Sequence, residues 1–215
     1  MGLFDDHDDY SSFITKELKG TKTEQNLQEA FCGESKARNK YTFFAKQARK
    51  EGYHQIADIF DETANNETEH GKIWFKLLNE GNIQPTIDNL KTAAQTECYE
   101  WDDMYARFAK DAKEEGFEKI SCLFETIRGI EKMHMTRYNN LIKRLEEKTQ
   151  YKRDKNVIWE CKKCGYRHEG TEPPKQCPFC RHPREYFFET KHFEYKTTSG
   201  CLLNLFLLNK QPHQT

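Results

Sequence analysis

The sequence predicts a mainly α protein, a four-helix bundle followed by a small β module built around four cysteines. Three observations predict it. Apolar residues recur at alternating spacings of three and four through the region 21–147, the stripe pattern of packed helices. The two halves of that region repeat each other 64 residues apart. Beyond a polar stretch, Cys161, Cys164, Cys177 and Cys180 form two Cys-x-x-Cys pairs.

Composition narrows the class. A chain of 215 residues holds one or two domains. Only 36% of it is hydrophobic, yet 13% is aromatic, too much for a disordered polyelectrolyte. Lys+Arg 34 against Asp+Glu 35 leaves a net charge of -1, so no general positive field draws the chain to nucleic acid or anionic lipid. No run approaches the roughly 18–20 apolar residues of a membrane span. The opening MGLFDDHDDYSS lacks the basic and apolar regions of a signal peptide, so a reducing cytoplasm is expected. There, paired Cys-x-x-Cys motifs serve metal or redox chemistry. Cys32, Cys98, Cys122 and Cys201 are scattered and are expected to be small packed residues, with Cys98 oxidisable beside Glu97.

The elements follow in order. Residues 1–20 are acidic and aperiodic, a loose arm. Thr21 and Glu24 read as a capping box opening a first helix whose stripe is Leu27, Ala30, Glu34, Ala37, Tyr41, Phe44 and Ala48, ended by Gly52. The second carries Ile56, Phe60, Thr63, Glu67, His70, Trp74 and Leu77 and closes at Gly81. The third starts near Asp88, with Leu90, Ala93, Glu97, Glu100 and Met104 inward, and the fourth follows Gly116 with Phe124, Ile127, Glu131, His134, Tyr138, Leu141 and Leu145. Tyr41, Phe44, Gly52, Phe60, Glu67 and His70 recur as Tyr105, Phe108, Gly116, Phe124, Glu131 and His134. Glu34 breaks the offset, because its counterpart is Glu97 and not residue 98. The third helix therefore carries one extra residue, which a single-turn π-bulge absorbs. Residues 148–156 read as a polar linker and 157–195 as the small module, with strands expected in VIWEC and REYFFE. The Leu-rich tail 196–215 has no assigned role.

Glu34, Glu67, His70, Glu97, Glu100, Glu131 and His134 all fall on inward stripes. Burying unpaired carboxylates costs several kcal/mol each, so five of them with two imidazoles ask for cations. Two Glu-x-x-His motifs plus one Glu from each other helix form the ligand set of a carboxylate-bridged di-iron or di-manganese bundle. Glu100 exceeds that set. As a hard oxygen ligand it suits the ferric ion while His70 suits the ferrous one, which points to redox cycling; the alternative is a carboxylate that orients His70. Tyr41 and Tyr105 either donate protons or hydrogen bonds near the metals or serve as core aromatics. The four cysteines, with twelve residues between the pairs, close a tetrahedral site that accepts zinc or iron. His168, His182 and His192 are expected on the module surface.

The segments FCGESKARNKYTFFAKQARKEGY, ETANNETEH, TECYEWDDMY, GIEKMH and WECKKCGYRHEGTEPPKQCPFCRHP resemble the rubrerythrins over roughly residues 18–195. The resemblance implies a ferritin-like bundle with a rubredoxin-like module. It further implies a non-haem di-iron centre that reduces hydrogen peroxide to water. Electrons would come from an NAD(P)H-dependent reductase, often through rubredoxin, to one iron on Cys161, Cys164, Cys177 and Cys180, with zinc as a substitute metal. It implies that the seven carboxylate and histidine residues ligate the iron pair, one iron moving between His70 and Glu100, that Tyr41 and Tyr105 hydrogen-bond nearby, and that the protein is a homodimer, antiparallel or domain-swapped. A ferroxidase that stores iron and a zinc-ribbon binding protein are the rival readings.

Overall fold

A computed structural model describes residues 9–190. The expectations for residues 1–8, His192, Cys201 and the tail lie outside them. The chain divides into two compact units between Pro85 and Thr86. The first is a helical hairpin. Its α1 (Lys22–Lys50) opens on the expected capping box: Thr21 accepts from the Glu24 amide at 3.1 Å, while Glu24 reaches back to the Gly20 amide at 2.7 Å. A Schellman turn ends it, with Gly52 at φ +86 and the Tyr53 amide donating to Ala48 O at 2.9 Å. Helix α2 (His54–Leu78) then packs back on α1 through Ala45, Ala48 and Ala57, all buried. Alanines let the two backbones approach closely, and Tyr41, Phe44 and Phe60 cluster beside them with ring centroids 5.6–6.3 Å apart.

The arm is not loose from Asp9 onward. The Tyr10 amide donates to Gly81 O at 3.0 Å, Asp9 accepts from Asn82 at 3.0 Å, and a Cβ on Gly81 would lie 2.1 Å from the Ser11 nitrogen. The glycine expected merely to end α2 also makes room for the arm.

The second unit begins with α3 (Thr86–Tyr99), runs through a π turn (Glu100–Met104) and continues as α4 (Tyr105–Glu114). The extra residue of the third helix is thus absorbed where the slipped repeat requires it, and the Tyr105 amide reaches back five residues to Glu100 O. Helix α5 (Glu118–Glu146) packs against α3 and α4. The internal repeat is visible in three dimensions. Gly116 takes φ +86, the Phe117 amide caps Ala112 O at 2.7 Å, and Tyr105, Phe108 and Phe124 form a triad at 5.6–6.1 Å. Where α2 has Ala57, α5 has the buried Ser121, whose hydroxyl donates to Ala109 O at 2.7 Å.

In the module, β1 (Val157–Cys161) is the central strand of an antiparallel sheet ordered β2-β1-β3, with β2 at Arg167–Gly170 and β3 at Phe187–Glu189. Trp159 and Phe187 are its core beside Cys161 and Cys177. VIWEC is a strand as expected. In REYFFE, however, Arg184–Tyr186 is a turn of 3₁₀-helix and only Phe187 onward pairs. Strand β2, RHEG, has no apolar alternation to announce it, and its pairing with β1 alone makes it a strand. Among the described residues no helix is long and apolar enough to cross a membrane.

Candidate metal centres

The donors gather into three groups, two set by helical periodicity and one by the cysteine knuckles. In the hairpin, Glu34 on α1 meets Glu67 and His70 on α2, with donor atoms all within 4.8 Å of one another. His70 Nδ1 lies 2.9 Å from Glu67 Oε2 and 4.0 Å from Glu34 Oε1. In the second unit Glu97 on α3 meets Glu131 and His134 on α5 in the same way. His134 Nδ1 lies 2.6 Å from Glu131 Oε2 and 3.6 Å from Glu97 Oε2. The two sites are repeats of one design, each placing a carboxylate of one helix against a Glu-x-x-His of its neighbour. The glutamates of the two Glu-x-x-His motifs are the best covered, Glu67 at 15% and Glu131 at 13% side-chain exposure, whereas His70 is 53% exposed.

Burial raises the Glu97 carboxyl, as do its hydrogen bond to Glu131 and the charge there; His134 opposes the shift. Such crowding of acids is what a cation relieves. Glu100 opens the π turn and joins neither triad, but its charge is felt at Tyr105. That phenol is raised by burial first, then by Glu100, Glu131 and Glu97. Tyr41 sits at the matching place on α1, against Phe44 and Phe60. The sequence reading did not single out Arg128, whose Nε donates to Trp101 O in the π turn at 2.9 Å, while Lys132 lies 4.6 Å over the Trp101 ring. One signal was available: Arg128 stands 64 residues after Ala64, a buried alanine of α2.

The four cysteine sulfurs also lie within 4.8 Å of one another. Cys161 and Cys180 are 3.6 Å apart, Cys164 and Cys177 3.7 Å. A tetrahedron of metal–sulfur bonds of about 2.3 Å has edges of about 3.8 Å, so the cage already has the size of a metal site. Each pair is a tight knuckle: Gly165 N donates to Cys161 O at 2.8 Å with φ +77, and Arg181 N donates to Cys177 O at 3.0 Å with φ +64. Burial works to raise the Cys177 thiol, but the amides of Cys180 and Phe179 and the neighbouring thiols outweigh it and hold it down to about 7. The Tyr166 amide works to lower Cys164, yet burial and three neighbouring thiols push it up to about 12. Of the scattered cysteines, Cys32 and Cys98 are exposed thiols and not packed ones, and Cys122 is disulfide-bonded.

The family described as Rubrerythrin matches residues 25–142, and the one described as Rubrerythrin, rubredoxin-like domain matches residues 159–188. The chain belongs to the rubrerythrin family. Rubrerythrin-1 of Clostridium acetobutylicum is 47% identical over 187 residues, covering 80% of this chain and 96% of its own. Rubrerythrin of Porphyromonas gingivalis is 43% identical, covering 81% and 92%, and nigerythrin of Nitratidesulfovibrio vulgaris 36%, covering 77% and 85%. Rubrerythrins are oxidoreductases. Their cofactors are a non-haem di-iron centre and an iron held by four cysteines, and both donor sets fit: two carboxylate-rich triads for hard, redox-active iron, and a thiol cage of tetrahedral size.

Proposed function

We propose that this chain reduces hydrogen peroxide to water, with electrons entering at the four-cysteine site and passing to the carboxylate and histidine centre. The observation that carries the reading is that one chain joins two equivalent Glu, Glu, His triads to a thiol cage of metal-site dimensions. Iron held by the triads would supply the redox chemistry for cleaving an O–O bond, and iron held by the cage would supply electrons singly. Glu34, Glu67, His70, Glu97, Glu100, Glu131 and His134 would hold the iron pair, and Cys161, Cys164, Cys177 and Cys180 the single iron.

The chain's own residues prepare the reaction. Crowded carboxylates favour cation uptake and fix its place. The raised Tyr105 phenol keeps its proton at neutral pH, so it serves as a donor of a hydrogen bond or proton on the second triad's side. Tyr41 takes the same role on the first by the repeat. An NAD(P)H-dependent reductase, directly or through a rubredoxin, is the electron source in this reading, and the working unit is a homodimer.

The test compares two variants of the iron-loaded protein. Changing both Glu67 and Glu131 to Ala should strip iron from the pair and abolish peroxide turnover while the ferric-thiolate colour stays. Changing Cys161 and Cys164 to Ser should bleach that colour and stop reductase-driven turnover, leaving peroxide able to oxidise a chemically reduced pair. Full turnover in both variants would refute the proposal.

A further inference from the structure

A recess separate from the three donor groups opens in the second unit. The C-terminal half of α5, the segment after it and β3 enclose a cleft of about 550 Å³, the size of a small-molecule site. Its walls mix two chemistries. Leu141, Tyr151 and Phe188 give an apolar surface, while Arg137, Arg144 and Arg153 face two acids among the described residues, Glu185 and Glu189.

The cations are not equivalent. Arg153 is engaged: its Nε donates to Glu189 at 2.7 Å, and its guanidinium stacks 5.1 Å from the Trp159 ring. Arg144 is half-buried, and its guanidinium makes no hydrogen bond or ion pair among the described residues. Burial and then the nearby Arg153 lower its pKa, while Glu189 opposes them. An adjoining recess of about 230 Å³ shares Arg144, Gln150 and Tyr151 and adds Lys148, Lys152 and Arg184 against one acid among the described residues, Glu172. Gln150 Oε1 is buried with no partner, a state that costs free energy until a donor arrives.

We propose that this cleft binds an aromatic phosphomonoester of mononucleotide size. Three demands select that class. The idle Arg144 guanidinium, with a second group of cations beside it, suits a phosphate dianion, which a guanidinium fork grips through two parallel hydrogen bonds. Gln150 Oε1 needs a hydroxyl or N–H from the ligand. Tyr151, Phe188 and Leu141 offer a planar apolar body its place. Inorganic phosphate offers the charge and a P–OH but no planar body, and a nucleoside meets only the last two demands.

The experiment is calorimetric titration of the iron-loaded full chain with AMP, with adenosine and with inorganic phosphate. AMP should bind once per chain, at least about tenfold more tightly than either fragment, an advantage of at least about 1.4 kcal/mol. Arg144→Met should cost at least about tenfold of that affinity and Arg144→Lys less, with the ferric-thiolate spectrum and circular dichroism unchanged. If Arg144→Met does not fold, Gln150→Leu should weaken AMP binding with the ferric-thiolate spectrum and circular dichroism unchanged. The proposal is overturned if AMP does not bind at millimolar concentration, if no variant alters its binding, or if phosphate alone binds equally well. It is also overturned if AMP binds only to a chain ended after Thr190, since the cleft would then belong to residues 191–215.

Discussion

At the scale of single residues, the chemistry rests on proton positions. With Cys177 held down to about 7 and Cys164 pushed up to about 12, the metal-free cage at neutral pH has one thiol about half ionised and another fully protonated. Binding a metal must expel the remaining protons, because only thiolates ligate. Affinity of the stripped cage for ferrous iron or zinc should therefore climb as pH rises from 6 to 9, by about a factor of ten or more per unit. An affinity flat over that range, measured by competition with a chelator, would contradict these thiol states. At Tyr105 the expectation is a kinetic one. Tyr105→Phe removes a proton donor without removing a ligand, so iron content should stay whole while peroxide turnover falls by roughly 10². Loss of iron together with turnover would make the tyrosine a packing residue.

At the scale of elements, the π turn is the feature that separates the two halves of the repeat. Six residues lie between Glu34 and Tyr41 but seven between Glu97 and Tyr105, and the wider turn places Glu100 at its start. Arg128 reaches across from α5 to one of its carbonyls. Arg128→Met should cost about 1 kcal/mol of stability from the lost hydrogen bond and lower iron retention in the pair, leaving the cysteine cage unchanged. Metal analysis beside the visible spectrum reads both. Retention equal to the parent protein would mean that α3 and α4 hold the turn unaided.

At the scale of the whole molecule, each helical unit keeps an apolar edge in water, and the edges repeat: Tyr53, Ile56 and Ile59 are 57%, 49% and 56% exposed, and Phe117, Ile120 and Leu123 are 53%, 44% and 48%. Such faces favour association, which supports the proposed homodimer. In such a homodimer, exchange of electrons between chains is the expected route. Mixing a Cys161→Ser, Cys164→Ser chain with a Glu67→Ala, Glu131→Ala chain should restore peroxide turnover through dimers that pair one intact cage with one intact iron pair. A fully active monomer at low concentration would exclude this.

The sequence by itself determined the features that depend on local spacing. A capping box, the helix-ending Gly52, Gly81 and Gly116, Glu-x-x-His on one helical turn and two Cys-x-x-Cys knuckles are set within a few residues, and they are legible because backbone geometry converts spacing directly into placement. Even the π turn was visible, since one surplus residue between Glu97 and Tyr105 cannot be hidden in a repeat. Tertiary structure decided what depends on partners distant along the chain. Strand β2 exists because β1 offers it hydrogen bonds. The arm is fixed because Gly81 leaves room for Ser11, and Arg128 matters because folding carries it to a carbonyl 27 residues away. The same holds for the basic cleft: Arg137 and Arg144 stand seven residues apart on α5, but only folding sets Glu185, Phe188 and Glu189 against them. Periodicity tells which face a residue shares, but a contact across the fold is settled only by packing, because the chain closes its loops in three dimensions.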